Sequence, residues 1–465
     1  MMELSGKRIL VLGLGESGLA VARWCDRQRA AVRVLDTRSD PPYLKELRVA
    51  VPAAEFHSGP MDAGFDERLL NGVDFLVISP GLPAQMAAVS LARARGLPVT
   101  GEIELFAWGL AALGVRRDTR VIAITGTNGK TTTTTLAAHL CRAAGLVTGI
   151  GGNISPAALT ALMAVQDAGR LPQVWVLELS SFQLETLESL NAEAAVVLNI
   201  SDDHLDRYNG LDDYAQTKAR VFFGKGVQAL NRDDARVRRM AIAGRRVISF
   251  GLDAPENEND FGLRSHGGEP WLARGGQLLM AVSELPIAGL HNAANALAAL
   301  ALCAAIGLDP VALLPALRQF RGLPHRVERV AEIGGVTYYD DSKGTNVGAT
   351  VAALQGMGRK VVIILGGDGK GQDFSPLKQA VAEHARAAIL IGRDGPLIGA
   401  AIAGCGVPVE TAASLPEAVR QSAAAARAGD AVLLSPACAS FDMFKNYEHR
   451  AQVFIEAVRR MEAAQ

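Results

Sequence analysis

The chain has 465 residues, more than one hydrophobic core usually organises, and a length of about 150 residues per domain predicts three domains. Hydrophobic residues make up 49% and charged residues 20% of the chain, a globular balance that excludes an intrinsically disordered protein. The formal net charge of −1 provides no general attraction to nucleic acid or to an anionic membrane. We therefore expect neither as a partner, and any phosphate site must be local.

The five cysteines are widely spaced, and no CxxC pair indicates a zinc site or a disulfide framework. The first residues run directly into an apolar segment, which leaves no room for a signal peptide. The longest uncharged apolar run, 296–308, is shorter than the roughly 20 residues that cross a bilayer, and it predicts a buried helix. We expect a soluble, cytoplasmic, monomeric protein.

The first hundred residues alternate short apolar runs with helical patterns. The runs at 8–12, 31–35 and 75–78 consist mainly of apolar or β-branched residues and end at Gly, Asp or Pro, and 97–100 resembles a last strand. Strands that are buried on both faces have this pattern, so a parallel sheet covered by helices is predicted.

A Gly-x-Gly-x-x-Gly turn follows the first predicted strand at Gly13, Gly15 and Gly18, and Asp36 ends the second strand. This spacing directs backbone N–H groups at a diphosphate and places a carboxylate where it can bind a ribose. Taken by itself, the turn predicts an NAD-dependent oxidoreductase. The same backbone geometry also binds the diphosphate of a UDP-sugar, so both kinds of ligand fit it.

A second glycine-rich turn, TGTNGKT at 125–131, lies directly between an apolar strand and a helical run. Such a turn at a helix N-terminus directs several N–H groups at one point, where the helix dipole favours negative charge. Lys130 can reach the β- and γ-phosphates of a nucleotide, and the Thr131 hydroxyl can bind Mg²⁺. Ile124 replaces the glycine expected five positions before Gly129, so the turn is either a variant phosphate loop or a chance match, and its position between strand and helix favours the phosphate loop.

Two neighbouring strands also end in polar residues. Glu178 lies near the end of the strand at 174–179, and His204 lies in the turn after the strand at 195–200. The carboxyl ends of parallel strands meet at one edge of a sheet, where a carboxylate beside a phosphate loop can hold Mg²⁺. Read singly, Glu178 is a solvated strand end, His204 a surface residue and Lys218 an exposed helix lysine. Their combination favours a metal and phosphate site.

The remaining chain alternates strands and helices again after a break at 322–324, which completes three successive α/β units. The predicted fold is therefore α/β with three domains. We predict a Rossmann-like domain at 1–100, a central phosphate-loop ATPase-type domain with a mostly parallel sheet at 101–321, and a C-terminal Rossmann-like α/β domain at 322–465.

Nine short motifs follow one another along nearly the whole chain. They are GTNGKTT (126–132), GGN (151–153), LELSSFQLE (177–185), NISDDHLDRY (199–208), YAQTK (214–218), GLHNAANALAA (289–299), GLPHR (322–326), DDSKGTN (340–346) and GGDGKG (366–371). Their order and spacing resemble the Mur ligase family. Within it, the first domain and the segment 433–450 most resemble the enzymes that add glutamate.

The resemblance implies an ATP-dependent amide ligase that adds D-glutamate to UDP-N-acetylmuramoyl-L-alanine through an acyl phosphate, with release of ADP and phosphate. It implies catalytic roles for Lys130, His204, Lys218 and Arg326. It also implies two Mg²⁺ ions, with Thr131 and Glu178 at the first and His204 and Lys218 at the second. Lys218 would act as a carbamate formed with CO₂, because an ammonium cannot bind Mg²⁺ whereas a carbamate oxygen can.

The resemblance also implies three sets of binding residues. Those for ATP are Gly126, Thr127, Asn128, Gly129, Lys130, Thr131, Thr132, Asn292, Asn295, Arg326 and Asp341. Those for the UDP-linked substrate are Gly15, Glu16, Ser17, Thr37, Arg38, Ser79, Gly81 and Asn153. Those for glutamate are Lys343, Thr345, Lys370, Ser440, Phe441 and Tyr447. Because these sets lie on three domains, we expect closure about hinges near residues 100 and 321.

Three alternatives share part of this pattern. A folylpolyglutamate-synthetase-like ligase shares the ATP chemistry, but we expect it to lack the first domain. A Mur ligase that adds alanine to UDP-N-acetylmuramate shares the first-domain type and is the nearest alternative. A nicotinamide-dependent dehydrogenase fits only residues 1–100, and it leaves the second phosphate loop unexplained.

Overall fold

The computed structural model describes residues 3–114, 118–203 and 207–463. Within these residues the chain forms sheets of five, nine and six strands, one after another in sequence. Most strand pairs are parallel, and helices pack against the sheets, because the strands are apolar on both faces. The predicted α/β fold with three domains is confirmed.

The first sheet is parallel throughout and comes from the first apolar runs of the sequence. Its strands are β1 (Arg8–Leu12), β2 (Ala31–Asp36), β3 (Glu55–Ser58), β4 (Phe75–Ile78) and β5 (Val99–Thr100), with helices α1 (Glu16–Arg27), α2 (Leu44–Ala50) and α3 (Ala87–Ala94). The strand order is β3-β2-β1-β4-β5. The chain reverses direction across the sheet beside β1, so the glycine-rich turn after β1 lies at the point where such sheets bind ligands.

The second sheet has nine strands and carries the phosphate loop. The strands are β6 (Arg120–Thr125), β7 (Thr148–Gly152), β8 (Val174–Glu178), β9 (Ala194–Val197), β10 (Val227–Asn231), β11 (Val247–Phe250), β12 (Phe261–His266), β13 (Glu269–Arg274) and β14 (Gln277–Ala281). The helices are α4 (Glu102–Ala112), α5 (Lys130–Ala143), α6 (Ala158–Asp167), α7 (Ser181–Leu184), α8 (Leu211–Ala219), α9 (Ala235–Arg238), α10 (Leu290–Ala305) and α11 (Pro310–Leu317). The order is β14-β13-β12-β11-β10-β9-β6-β8-β7.

The polar stretch 251–276 contributes strands to this sheet. β12, β13 and β14 pair antiparallel and extend the sheet beyond β11. Tight turns at 267–268 and 275–276 separate them, and Gly267 and Gly275 have positive φ of 62° and 53°. The glycines of this stretch therefore form the tight turns between the antiparallel strands.

The third sheet contains the C-terminal strands. They are β15 (Glu328–Ile333), β16 (Val336–Asp340), β17 (Val361–Gly366), β18 (Ala385–Ile391), β19 (Val409–Thr411) and β20 (Ala431–Leu434). The helices are α12 (Val347–Gly356), α13 (Leu377–His384), α14 (Gly395–Ala401), α15 (Leu415–Ala425) and α16 (Tyr447–Glu462). The order is β15-β16-β20-β17-β18-β19, with β15 antiparallel to β16 and the other pairs parallel.

Two features of the second sheet position the site. β6 lies between β8 and β9 in parallel register, so the ends of these three strands adjoin. The alanine- and leucine-rich helix α10 is buried along most of its length and packs against α5, which brings its first turn to the phosphate loop. Among the described residues, no helix is both long and apolar enough to traverse a bilayer.

Candidate active site

The phosphate loop occupies the turn between β6 and α5. Gly126 and Gly129 have positive φ of 153° and 82°, and a Cβ on Gly129 would lie 2.4 Å from Oδ1 of Asn295 on α10. Glycine is required there both by the left-handed backbone and by this close approach. The Asn128 N–H donates to Oδ1 of Asn199 (2.8 Å), and the Asn199 side-chain amide donates to the Asn128 carbonyl (3.1 Å). The loop is thereby held open at the start of α5, where helix N–H groups favour an anion.

Lys130, the first residue of α5, folds back over this loop. Its Nζ donates to the carbonyl oxygens of Gly126 (2.9 Å) and Thr127 (2.8 Å). Burial lowers the pKa of Lys130, and the nearby charge of Glu178 opposes that shift. The cation is thus anchored beside the loop N–H groups, which suits it to a phosphate oxygen.

Glu178 ends β8 and lies beside the loop with only one of its carboxylate oxygens paired. Asn153 Nδ2 donates to Oε1 (2.9 Å), whereas among the described residues no donor reaches the buried Oε2. Gly152 has no side chain because a Cβ there would meet the Glu178 carbonyl at 2.2 Å. An unpaired buried carboxylate oxygen is costly unless a cation binds it. The position therefore fits a hard divalent cation.

Lys218 is buried, although its place on α8 suggested an exposed helix lysine. Its Nζ donates to the Gly126 carbonyl (2.9 Å) and lies 4.6 Å from the ring centroid of Tyr214. Burial lowers its pKa well below the usual value, and the charge of Lys130 lowers it further. A lysine in these surroundings is favoured as the neutral, nucleophilic amine. His204, the other residue predicted for this metal position, lies outside the described residues.

Two contacts join the C-terminal domain to the phosphate loop. Arg326 Nη2 donates to the Thr131 hydroxyl at 2.7 Å. The side-chain amides of Asn128 and Asn346 donate to each other, at 3.3 Å and 3.0 Å. Arg326, distant in sequence from the loop, is therefore delivered to it by the packing of one domain on the other.

A cleft of about 270 Å³ lies on one side of this junction and holds most of the predicted nucleotide residues. Its lining includes Asn128, Gly129, Thr132, Asn292, Asn295, Arg326 and Asp341. Burial raises the pKa of Asp341 to about 7, against the opposing Ser435 hydrogen bond. Asn295 also donates from Nδ2 to Oδ1 of Asn292 (3.1 Å), so the two predicted asparagines support one another.

The same cleft is lined by residues that the sequence reasoning missed. They are Asn231, Asp233, Phe250, Leu252 and His291, among others. Asn231 and Phe250 end β10 and β11, which continue the parallel row from β9. Ligands gather at the carboxyl ends of parallel strands, which is the reason that Glu178 was predicted, and the same reasoning applies to these two residues. The sequence pattern did not predict β10 as a strand, so Asn231 was missed.

A second, more polar cleft of about 350 Å³ shares Arg326 with the first and brings Lys130 and Glu178 to one space, while Lys218 is not part of its lining. Its lining is Thr127, Asn128, Gly129, Lys130, Thr131, Asn153, Ile154, Ser155, Glu178, Asp203, Arg326, Lys343, Thr345, Asn346 and Tyr447. Three of the predicted glutamate residues are thus beside the phosphate loop. Lys343 Nζ lies 3.8 Å from the Tyr447 ring centroid, which orients its cation.

The other three residues predicted for glutamate do not line this cleft. Ser440 is buried, Phe441 is 68% exposed, and Lys370 is exposed at a left-handed backbone position with φ of 51°. Their place at the glutamate therefore stays a prediction, since none of the three side chains is part of the lining of this cleft.

The residues predicted for the UDP-linked substrate cluster around the first glycine-rich turn, except Asn153, which lines the second cleft. Gly18 is required because a Cβ there would lie 2.0 Å from the Gly13 carbonyl, and Ser79 donates to that carbonyl (3.0 Å). Gly15 and Ser17 are partly buried at the start of α1, while Thr37, Arg38 and Gly81 are exposed in the neighbouring loops.

Asp36, which indicated a ribose contact, is already paired. Its carboxylate accepts from the Leu14 N–H (2.7 Å) and from the Arg38 guanidinium (2.8 and 2.9 Å). Burial would raise its pKa, but these bonds outweigh burial and hold the pKa at about 2. A carboxylate that holds the turn and Arg38 has little capacity left for a ribose, which weighs against the dinucleotide alternative.

Glu16 connects this turn to the second cleft. Its Oε1 accepts from the Ser155 hydroxyl (2.9 Å) and from the Ala157 N–H (3.1 Å). Ser155 lines the second cleft two residues after Asn153. Glu16 therefore links the first glycine-rich turn to the lining of the second cleft. Fold and site together define a three-domain α/β protein with a central phosphate-loop nucleotide domain.

Three family descriptions match successive parts of the chain. "Mur ligase MurD-like, N-terminal domain" matches residues 7–101, "Mur ligase middle domain" matches 124–303, and "Mur ligase, glutamate ligase domain" matches 325–438. Together they span most of the sequence. This chain belongs to the Mur ligase family.

Individual proteins with similar sequences or structures are also Mur ligases. Two curated proteins named UDP-N-acetylmuramoylalanine--D-glutamate ligase are similar over nearly the whole length. The protein from Aromatoleum aromaticum is 58% identical and is covered over 99% of both chains. The protein from Nitrosospira multiformis is 54% identical over 100% of this chain and 97% of its own. The solved UDP-N-acetylmuramate-alanine ligase from Thermotoga maritima shares the fold, with a TM-score of 0.58, 19% identity and coverage of 99% of this chain and 100% of its own.

Proposed function

We propose that this chain is an ATP-dependent amide ligase that adds D-glutamate to UDP-N-acetylmuramoyl-L-alanine, in the cytoplasm and in peptidoglycan precursor synthesis. The full-length relatives that bear the name of this activity support the choice of substrates. The observation that carries the proposal is the second cleft, in which Lys130, Glu178, Arg326 and Lys343 surround one polar space. A carboxylate, a terminal phosphate and an amine must meet in such a space.

The reaction that fits this cleft has two steps. The alanyl carboxylate attacks the γ-phosphorus of ATP, which forms an acyl phosphate and releases ADP. The amine of glutamate then attacks the acyl carbonyl and loses a proton, and phosphate leaves. The first step brings two anions together, so fixed cations must offset their repulsion. Lys130 on the loop and Arg326 from the C-terminal domain are positioned for this role.

The donor set also fits magnesium. The Thr131 hydroxyl and the unpaired Oε2 of Glu178 are oxygen ligands of the kind that Mg²⁺ prefers, and such an ion supplies further neutralisation of phosphate charge. For a second ion we propose His204 and Lys218. The buried amine of Lys218, beside Lys130 and the loop, supports carbamate formation because only the uncharged amine attacks CO₂.

We further propose that each domain binds one substrate. Residues 1–100 would bind the uridine diphosphate, 101–321 would bind ATP, and 322–465 would bind glutamate. The bond from Glu16 to Ser155 supports the first assignment because it connects the first turn to the loop of Asn153. The adjacency of Lys343 and Tyr447 supports the third, because a cation over an aromatic ring is suited to a substrate carboxylate.

Phosphate release tests the proposal. The purified protein is incubated with ATP, Mg²⁺ and UDP-N-acetylmuramoyl-L-alanine, and D-glutamate, L-glutamate and L-alanine are compared. We expect release with D-glutamate alone. Release with L-alanine and UDP-N-acetylmuramate would instead identify the alanine-adding branch, and NADH binding without any ATP hydrolysis would support the dehydrogenase alternative.

A further inference from the structure

The turn that carries Arg326 has an unusual backbone on both sides of that residue. His325 and Val327 have φ of 64° and 51°, in the left-handed region. Neither is glycine, and a β-branched residue is rarely found there. Such a conformation persists only when the surrounding structure holds it, and it often marks a functional constraint.

His325 is the residue through which the turn is held. Its N–H donates to Oε2 of Glu328 (2.9 Å), and its carbonyl accepts from the N–H of Lys343 (3.1 Å). Its ring Nδ1 lies 2.6 Å from Oδ2 of Asp340, and we interpret this contact as a hydrogen bond from an Nδ1–H to the carboxylate. Backbone and side chain of His325 are therefore both fixed.

Asp340 is a rigid partner for this ring. It ends β16, it is fully buried, and its other oxygen accepts from the Ser342 N–H (2.9 Å). The ligand atoms of His325, Glu328 and Asp340 lie within 4.8 Å of one another, close enough for a metal ion. Hydrogen bonds with the turn already account for all three groups, so we interpret the cluster as a hydrogen-bonded support.

Neither His325 nor Asp340 lines the two clefts, whereas Arg326 lines both. The pair therefore supports the turn from outside both linings, with the His325 ring packed edge-on against Tyr447 of the second cleft at 6.2 Å between ring centroids. Arg326 spans from this turn to the Thr131 hydroxyl at 2.7 Å. A small rotation of the turn would move its guanidinium away from the loop, because the side chain is long and anchored at one end.

We propose that the His325–Asp340 pair is a positioning device that holds the turn in its left-handed form and so directs Arg326 at the phosphate loop. The proposal rests on the proposed function only in naming a nucleotide phosphate as the target of Arg326. His325 acts through Arg326 and is a positioning residue.

A double-mutant cycle tests whether His325 acts through Arg326. The variants are His325→Ala, Arg326→Ala and the combination of both. Loss of one preorganised donor lowers kcat by about 10²–10³-fold, which is the expectation for Arg326→Ala. For His325→Ala we expect a loss of about 10–100-fold, as for a catalytic group displaced by about 1 Å, with the KM for ATP changed less than about threefold. The double variant should be no slower than Arg326→Ala within about twofold.

Two further variants separate the hydrogen bond from the backbone strain. His325→Asn keeps a donor near Nδ1 and tolerates the left-handed region, so it should recover most of the kcat lost in His325→Ala. His325→Gly relieves the backbone strain but provides no hydrogen-bond donor to Asp340, so it should recover less of the kcat. Asp340→Asn preserves the shape of the side chain, so its loss of kcat should be smaller than that of His325→Ala. This loss should also be non-additive with that of Arg326→Ala. His384→Ala, at a histidine on the end of α13, is the matched control and should change nothing.

The same cycle is measured by calorimetry with Mg²⁺ and a non-hydrolysable ATP analogue, and thermal unfolding reports the folding of every variant. If the wild type binds the analogue but releases no phosphate with any amino acid, the proposed function fails. The pair is then tested by the binding enthalpy and affinity: His325→Ala should alter them when Arg326 is present and have no further effect when residue 326 is already alanine. If the double variant is folded and its loss of kcat or of affinity equals the product of the two single losses, His325 and Arg326 act independently and the proposal is wrong.

Discussion

The guanidinium of Arg326 donates to the hydroxyl of Thr131 over 2.7 Å, although 195 residues separate the two in sequence. Thr131 belongs to the first turn of α5, and Arg326 precedes the first strand of the third sheet. The bond places a cation of the C-terminal domain at the mouth of the phosphate loop. Because both clefts share Arg326, this residue connects the cleft that we propose for the nucleotide to the cleft that we propose for bond formation.

Replacement of Arg326 by lysine should lower kcat by about 10²-fold or more, although the charge is retained. A lysine is a point charge and cannot present the planar fork that reaches both Thr131 and a phosphate oxygen. Initial rates of phosphate release at saturating ATP measure this effect. Arg329→Lys, at an exposed arginine of β15, is the control and should behave as wild type. Equal rates for Arg326→Lys and wild type would exclude a bidentate role.

Lys218→Ala should abolish activity, and short carboxylic acids such as acetate should restore part of it. A carboxylate in the cavity left by the side chain would replace the oxygens of a carbamate, whereas an added amine would not. Lys225→Ala, at an exposed lysine nearby, should retain activity with or without acetate. Failure of every small acid to rescue a folded Lys218→Ala variant would leave the carbamate without support.

Gly348→Ala should hold the C-terminal domain away from the loop. A Cβ at Gly348 would lie 2.7 Å from the Ser201 hydroxyl and 3.3 Å from the Asn128 amide, beside the Asn128–Asn346 pair. We expect a higher KM for ATP and a larger radius of gyration by X-ray scattering in the presence of a non-hydrolysable ATP analogue and the UDP-linked substrate.

The second substitution Ser201→Gly should partly reverse both effects, because it removes the atoms that the new methyl group meets. Gly276→Ala, where a Cβ would have no neighbour within 4 Å, is the matched control. Scattering curves that do not change when ligands bind the wild type would contradict domain closure about residues 100 and 321.

Glu102→Gln should stabilise the protein at alkaline pH. Glu102 is buried, its Oε1 accepts from the Leu159 N–H (2.6 Å), and among the described residues no donor reaches its Oε2. Burial raises its pKa from 4.5 to about 7; the Leu159 hydrogen bond opposes this shift, and the charge of Glu16 adds to it. A pKa raised by folding means that stability is fully present below the unfolded value and is lost as the pH rises through about 7.

Urea unfolding measures this difference. Relative to wild type, the Gln variant should gain about 2 kcal/mol between about pH 5.5 and about pH 8.5, because glutamine has no proton to lose. Glu46→Gln, at an exposed helix residue, should show no such trend. A stability difference that stays constant with pH would mean that Glu102 is ionised in the folded protein throughout.

The sequence by itself determined the features that depend on local order. A glycine-rich turn between an apolar strand and a helix predicts a phosphate loop from local sequence alone, because the backbone N–H groups come from consecutive residues. Glu178 was predictable for a similar reason, since parallel strands bring their carboxyl ends to one edge. The three α/β units were also predictable, because the apolar runs of the sequence reflect the burial of strands within each sheet.

Only the tertiary structure decided which distant groups meet. Domain packing brings Arg326, Lys343 and Tyr447 to the phosphate loop and leaves Phe441 exposed, and no local pattern encodes that choice. Burial converts Lys218 from an apparent surface lysine into an enclosed amine. These outcomes depend on the relative placement of whole domains, which is determined by the sum of many weak contacts rather than by the residues of any one motif.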